Sequence, residues 1–297
     1  MSSDQFELLR SLGLREHHQA LDIGCGALGL GSLLIPYLQP RHYFGIEPQQ
    51  ALIEDGVRFH LGHDLFDLKE PQFLTGADFA FHKFAVKFDF MMAHALFPHI
   101  DSSLIRNCLN SAAVSLKPDG LLLATWMPGS NDYEGDGWNP NIQAEYKVTT
   151  LQSIAQESGL GFKILRRPHP SGQTWAAFYV PGCQRFPDEP TIEAALPPAA
   201  PGHAGYVEQI QDVGGYQLIV GWAIDPHTRL PADRVLVTGP DGSVRAAIPV
   251  NHPRPDTAAV LGSEALMSGF RALIQSEASP EFACYAIVEN TAYLLIK

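Results

Sequence analysis

The chain has 297 residues, 45% hydrophobic and 18% charged, with 20 basic against 32 acidic side chains and a net charge of −12. This is a folded chain long enough for two domains, not a largely disordered one. So acidic a surface repels polyanions and argues against nucleic acid as a partner. No run of apolar residues is long enough to predict a transmembrane helix. Met1-Ser2-Ser3-Asp4-Gln5 lacks the basic and apolar regions of a signal peptide. Cys25, Cys108, Cys183 and Cys284 are far apart and form no zinc spacing, so a reduced cytoplasmic protein is expected.

In chain order, His18 to Ile23 reads as a buried strand and Gly29 to Leu38 as a helix distorted late by Pro36. A strand at His42 to Ile46 and a helix at Gln49 to Phe59 follow. A third strand is expected around Leu74 to Ala80 and a fourth at Phe88 to Ala93. Ser102 to Leu116 reads as a long helix closed by Lys117-Pro118-Asp119-Gly120. Leu121 to Trp126 is a fifth strand, Thr150 to Ser158 a helix, and Phe162 to Arg166 and Thr174 to Val180 the last two strands. This alternation predicts an α/β fold with a doubly wound, mostly parallel sheet.

The composition changes near residue 181. Prolines at 181, 187, 190, 197, 198 and 201 predict an extended linker, within which Thr191 to Ala195 could form a short helix. Beyond it, Tyr216 to Ile224, Arg234 to Thr238, Ser243 to Ile248, Gly269 to Ile274, Phe282 to Val288 and Tyr293 to Ile296 are short and β-rich, with a turn at 239–242. They predict a small antiparallel β-sandwich. The expected organisation is a domain at 1–180, a linker at 181–204 and a β-sandwich at 205–297.

The most informative segment is Leu21-Asp22-Ile23-Gly24-Cys25-Gly26-Ala27-Leu28-Gly29, between a strand and a helix. Its glycines allow a tight turn and close approach of the backbone to a ligand. Nicotinamide-dependent enzymes share the spacing of Gly24, Gly26 and Gly29. Asp22 distinguishes the readings, because it would repel a pyrophosphate on this loop and attract an ammonium or sulfonium. Glu47, at the end of the second strand, suits the two hydroxyls of an adenosine ribose.

These motifs resemble those of the class I S-adenosylmethionine-dependent methyltransferases. The matches are LDIGCGALG at 21–29, Gly45-Ile46-Glu47-Pro48, Lys87 to His94, and Leu116 to Leu123, in the family's order over about 180 residues. The resemblance implies seven strands, the last, Thr174 to Val180, antiparallel. It also implies S-adenosylmethionine as cofactor, held by Asp22, Gly24, Gly26, Glu47 and an acid after the third strand, with Cys25, Gly29, Pro48 and Ala93 beside them. That acid is assigned to Asp78, followed by Phe79, with Asp64 as the competitor.

His94 and His99 follow the fourth strand, on the crevice side of such a sheet. Either could take a proton from an alcohol acceptor, and either could instead cap a helix or pack on the cofactor. The loop Asn131 to Trp138 offers Asp132, Tyr133, Glu134 and Trp138 to an acceptor. Its calcium-like start fails at Pro140 and Gln143, and no metal is expected. His169 to Trp175 should reach the same rim.

In the C-terminal part, Gly221-Trp222-Ala223-Ile224-Asp225, Arg254-Pro255-Asp256 and Gly269-Phe270 resemble a β-rich module attached to bacterial glycosyltransferases and methyltransferases of surface-polysaccharide synthesis. Trp222 reads as a sandwich-core residue rather than a sugar platform. The expected function is O-methylation of a sugar or glycan intermediate. The alternatives are another small-molecule acceptor, or a non-catalytic glycan-binding or scaffold protein with a vestigial cofactor fold.

Overall fold

The computed structural model describes residues 2–165, 167, 169, 171–183, 185, 196–213, 216–275 and 281–296. They fall into two compact units. One comprises 1–127, 131–165 and 174–188, the other 128–130, 166–173 and 189–297. The expected helix at Thr191 to Ala195 lies outside the described residues.

The first unit runs α1 (Ser2–Ser11), β1 (Ala20–Ile23), α2 (Gly31–Tyr37), β2 (Tyr43–Ile46) and α3 (Gln50–Gly56), which continues into a π-helical turn at Val57–Leu61. Then come α4 (His63–Lys69), β3 (Gln72–Leu74), β4 (Phe88–Ala93), α5 (Ser102–Ser115), β5 (Leu116–Pro128), β6 (Glu145–Tyr146), α6 (Val148–Glu157), β7 (Gly161–Leu165) and β8 (Thr174–Tyr179). The main sheet has the order β3-β2-β1-β4-β5-β8-β7, with the short β6 paired to β5. β8 runs antiparallel to both β5 and β7, while the pairs from β3 through β5 are parallel. This is the expected seven-stranded architecture.

Both sheet faces are buried, as a doubly wound sheet requires. On one, Leu9 of α1, Leu34 and Ile35 of α2 and Ile53 of α3 pack with Tyr43, Phe90, Met92 and Leu121. The alternate residues Phe44, Met91 and Leu122 are equally buried, as are Ile105 and Leu109 of α5 and Leu151 of α6. Asp101 starts α5 by accepting a 2.7 Å bond from the Leu104 N–H, a side-chain cap. The Lys117 to Gly120 turn remains as an irregularity where β4–β5 pairing jumps from Phe88↔Leu116 to Phe90↔Leu121.

The third strand is a correction. The chain leaves the sheet after Leu74, and Asp78 makes a turn by accepting from the Ala80 N–H. The expected strand to Ala80 therefore becomes a loop.

The second unit contains β9 (Gly205–Asp212), β10 (Tyr216–Ala223), β11 (Arg234–Thr238), β12 (Val244–Pro249), α7 (Pro255–Leu261), β13 (Gly269–Gln275), β14 (Ala283–Val288) and β15 (Thr291–Leu294). They form a three-stranded sheet, β13-β10-β9, and a four-stranded sheet, β12-β11-β14-β15. All pairings are antiparallel. Val207, Ile219 and Phe270 from one sheet share a core with Val235, Ile248 and Ala286 from the other, which makes a sandwich. Trp222 is not in that core, contrary to expectation. Among the described residues no helix is long and apolar enough to cross a membrane.

Candidate functional site

β1 and β2 are parallel and in register, with Asp22 opposite Gly45 and Ile23 opposite Ile46, so both end at one edge of the sheet. β1 and β4 are neighbours although β2 and β3 lie on one side and β5 on the other. Such a switch point opens a crevice at the carboxyl ends of the strands.

The loop after β1 folds back onto β2. The N–H groups of Gly24 and Cys25 both donate to the Ile46 carbonyl, at 2.8 and 3.1 Å. Gly24 and Gly26 have φ of +75° and +50°, a region that favours glycine. A Cβ on either would meet nothing within 4 Å. The glycines serve the backbone turn, and the space beside them is open. Gly29 is exposed and precedes α2 rather than starting it.

Glu47 ties this loop to the end of β2. Buried at 7% exposure, it accepts from the Gly26 N–H at 3.1 Å and from the Gln49 N–H at 3.0 Å. Pro48 beside it is exposed. Asp22 is buried too, at 5% exposure. Its partner is the Tyr43 hydroxyl, which donates to it at 2.9 Å, and no basic side chain pairs with it among the described residues. Burial, with help from the Glu47 charge, pushes the Asp22 carboxyl up to about 7 against the opposing Tyr43 bond. Burial followed by the same two acids pushes the Cys25 thiol up, and burial followed by Asp22 pushes the Tyr43 hydroxyl up. Both are neutral, and Tyr43 is a standing donor. The sequence reading missed Tyr43. The signal was β1–β2 register: Tyr43 lies two residues before Gly45, on the face that Gly45 shares with Asp22.

The loop leaving β3 lies beside this pair, since the Glu47 N–H donates to the Leu74 carbonyl at 3.1 Å. Phe79 is buried with φ +51°. Asp78 is exposed and paired with Lys83 at 3.1 Å, which holds its carboxyl low. Asp64 is on α4, before β3.

Ala93 ends β4, fully buried. The chain then turns at Ala95 (φ +52°), whose N–H donates to Thr125 Oγ1 on β5 at 2.7 Å. The His94 ring rests against Trp175, centroids 5.6 Å apart. His99 Nδ1 is 2.8 Å from the Ile142 carbonyl. A carbonyl only accepts, so Nδ1 carries a proton and the neutral ring keeps its lone pair on Nε2.

The loop from Asn131 is fastened to the segment after β4. Asp101 exchanges backbone and carboxylate bonds with Gly137, at 3.1 and 2.5 Å, and the Asn139 N–H donates to the His99 carbonyl at 2.9 Å. The Trp138 ring, 55% exposed, stands 5.8 Å from the His99 ring. Tyr133 is half-buried and Glu134 exposed. Asp132 holds the start of α6, accepting from the Lys147 N–H at 2.8 Å and the Thr150 hydroxyl at 2.7 Å. A hollow of about 440 Å³ lined by Thr149, Gln152, Ser153, Gln156, Leu160 and Phe162 contains none of these residues.

The structure thus joins Asp22, Gly24, Cys25, Gly26 and Glu47 in one bonded group, and separately joins His99 to Trp138. No family model and no curated protein matches the chain. Among solved structures it is similar to magnesium protoporphyrin IX methyltransferase of Synechocystis PCC 6803, at 13% identity over 60% of this chain and 81% of that one, with a TM-score of 0.45. It is similar to an S-adenosylmethionine-dependent methyltransferase of Clostridium acetobutylicum (13% identity, 60% and 90% covered, TM-score 0.43). It is also similar to mitomycin 7-O-methyltransferase MmcR (17% identity, 60% and 53% covered, TM-score 0.46). These likenesses are distant, and the strand order itself defines the fold.

Proposed function

We propose that this chain is an S-adenosylmethionine-dependent methyltransferase acting on an oxygen of a small molecule. The observation that carries the proposal is a buried carboxylate, Asp22, with no cation among the described residues, beside an open glycine loop that a second buried acid, Glu47, closes. These residues fit the cofactor. Asp22 would take its ammonium, Glu47 its ribose hydroxyls, and the loop at Asp78 and Phe79 its adenine. When bound, the cofactor supplies the activated methyl group. A dinucleotide fits less well, because its pyrophosphate would meet the charge of Asp22.

The chain's own contribution is binding, alignment and proton transfer. His99, fixed through Nδ1, would present Nε2 as the acceptor of the alcohol proton, with His94 the alternative. Trp138 and Tyr133 would cover an apolar ring face and Glu134 would accept from hydroxyls, which suits a sugar or glycan intermediate. Asp132 also holds the start of α6 through both oxygens, and their remaining lone pairs would accept from acceptor hydroxyls. We assign the methyltransferase domain to 1–180, the linker to 181–204 and the accessory β-sandwich to 205–297.

Thermal unfolding with S-adenosylhomocysteine, NAD or no ligand tests the cofactor. S-adenosylhomocysteine alone should raise the Tm, by mass action on the native state. A rise with NAD alone would overturn the proposal. For the acceptor, Trp138→Ala should leave S-adenosylhomocysteine affinity within about twofold and cut methyl transfer at least about tenfold, the equivalent of 1.4 kcal/mol. Unchanged turnover would make Trp138 an ordinary surface residue.

A further inference from the structure

We propose that the Tyr206–Trp222 end of the outer face of the three-stranded sheet in the second unit binds a neutral saccharide, with Tyr206 and Trp222 as its stacking rings. Strand register places three separated sequence motifs together. Gly221 pairs with Phe270 and Trp222 with Gly269 across β10 and β13, while Trp222 pairs with Tyr206 across β10 and β9. Cross-strand partners share a face, and neighbours along a strand alternate. Val207 and Phe270 point into the sandwich core. Tyr206, Trp222 and Gly269 therefore form a row on the opposite face. A Cβ at Gly269 would sit 2.8 Å from Cβ and the carbonyl of His252 and 3.0 Å from Cγ of Arg254, so His252 and the Arg254 stem close the end of that row.

The face combines rings with fixed polar groups. The Tyr206 and Trp222 centroids are 5.5 Å apart, and His203 meets them edge-on at 4.5 and 6.0 Å. Tyr206 is 40% exposed, and Trp222 is half-buried. The rings brace one another, so presenting them to a ligand costs little side-chain entropy. Beside them, Arg254 binds Glu208 through two nitrogens at 2.7 and 2.9 Å and Asp256 at 2.9 and 2.5 Å. Farther along, the same face is covered: Leu218 is 3% exposed and Gly172 lies against Arg271.

This chemistry selects the ligand. At this end of the face Arg254 is matched by two carboxylates, Glu208 and Asp256, which leaves local negative charge that disfavours phosphates and uronic acids. The carboxylates keep lone pairs that can accept hydroxyl hydrogens. The rings pack edge to face and leave an open side, not the walled box that holds a quaternary ammonium. An open aromatic side next to hydroxyl acceptors suits a sugar ring with one C–H face and equatorial hydroxyls. Nothing in this inference requires methyl transfer.

The test uses the full chain and NMR of its four tryptophan indole N–H signals, with the Trp222 signal assigned from Trp222→Phe. The probes are cellobiose, lactose and N,N′-diacetylchitobiose. At least one should shift the Trp222 signal saturably, with a Kd on the order of millimolar. Tyr206→Ala should weaken that binding about tenfold, with Tm little changed because the side chain is exposed. Tyr206→Phe should keep it. Trp138→Ala should also leave it intact, which separates this face from any acceptor bound in the first unit. The inference is overturned if no probe binds by about 50 mM, well beyond the millimolar range, if Tyr206→Ala binds as the parent does, or if choline or glucuronate is preferred.

Discussion

Two buried aspartates on neighbouring strands have opposite surroundings. Asp22, near the carboxyl end of β1, and Asp89, near the amino end of β4, are each 5% exposed. Asp89 is fully matched. It accepts from Lys117 at 2.6 Å and the Gln19 N–H at 2.8 Å, with Arg185 at 3.6 Å. Arg185 also lies over the Phe90 ring, which seats it on the sheet. Asp22 has one neutral donor, Tyr43, and a second acid nearby. A buried carboxylate is tolerated when paired and costly when not. Asp89 is thus matched within the fold, whereas Asp22 has no cation among the described residues, as the proposed binding of the cofactor's ammonium requires.

Removing each acid should separate these roles. Asp89→Ala takes the carboxylate from Lys117 and leaves Arg185 its other partner, Asp119, at 3.2 Å. It should lower unfolding free energy by about 2–4 kcal/mol, toward the lower end because the Lys117 side chain is 39% exposed. Urea denaturation measures this, and S-adenosylhomocysteine affinity of the folded protein should not change. A tenfold affinity loss there would erase the contrast. Glu47→Ala acts at the other end of the sheet. It should weaken S-adenosylhomocysteine by about 2–3 kcal/mol, the loss of charge-assisted bonds to two hydroxyls. Unchanged calorimetric affinity would remove Glu47 from the site.

Asp22→Asn should move stability and affinity in opposite directions. The Asp22 carboxyl rises from 3.8 to about 7 on folding, so the native state holds its proton more tightly than the unfolded chain. Its contribution therefore favours folding in acid and is lost as pH rises to about 7. The asparagine variant lacks that slope and should be about 1–2 kcal/mol more stable at pH 8. By the same titration, S-adenosylhomocysteine affinity of the parent should climb with pH and level off above about 7, as Asp22 ionises. Tyr43→Phe has the smallest effect. Losing one hydrogen bond, about 1 kcal/mol, should shift the midpoint of that affinity profile to higher pH, since Tyr43 stabilises the carboxylate. An unshifted profile would make Tyr43 a packing residue only.

The sequence showed the parts whose signal is local. β1, β2, β4 and β5 are runs of buried residues beside glycine or proline punctuation, and the Asp22 to Gly26 loop carries its turn chemistry in its own residues. Features fixed by partners elsewhere were hidden. β3 is a short edge strand, half-buried throughout and without alternation, so its expected position slid into the loop beyond it. α4 is a seven-residue helix that fully buries none of its residues, although Phe66 packs against the core. The mostly exposed β9 was missed for a similar reason, and α1 was missed although it buries Leu8 and Leu9. The bonds of Asp132 to Lys147 and Thr150 were hidden too, because nothing local reveals them. Trp222 looked like core because alternation alone does not say which face of a strand is inside.

The most direct test is calorimetric titration of S-adenosylhomocysteine into the full chain and its Asp22→Asn variant at pH 8, paired with urea unfolding of both. The parent should bind, and the variant should bind at least about tenfold more weakly, by 1.4 kcal/mol or more, while unfolding at higher urea. No heat of binding to the parent, or equal affinity in the two proteins, would contradict the assignment of Asp22 as the acid that receives the cofactor's ammonium.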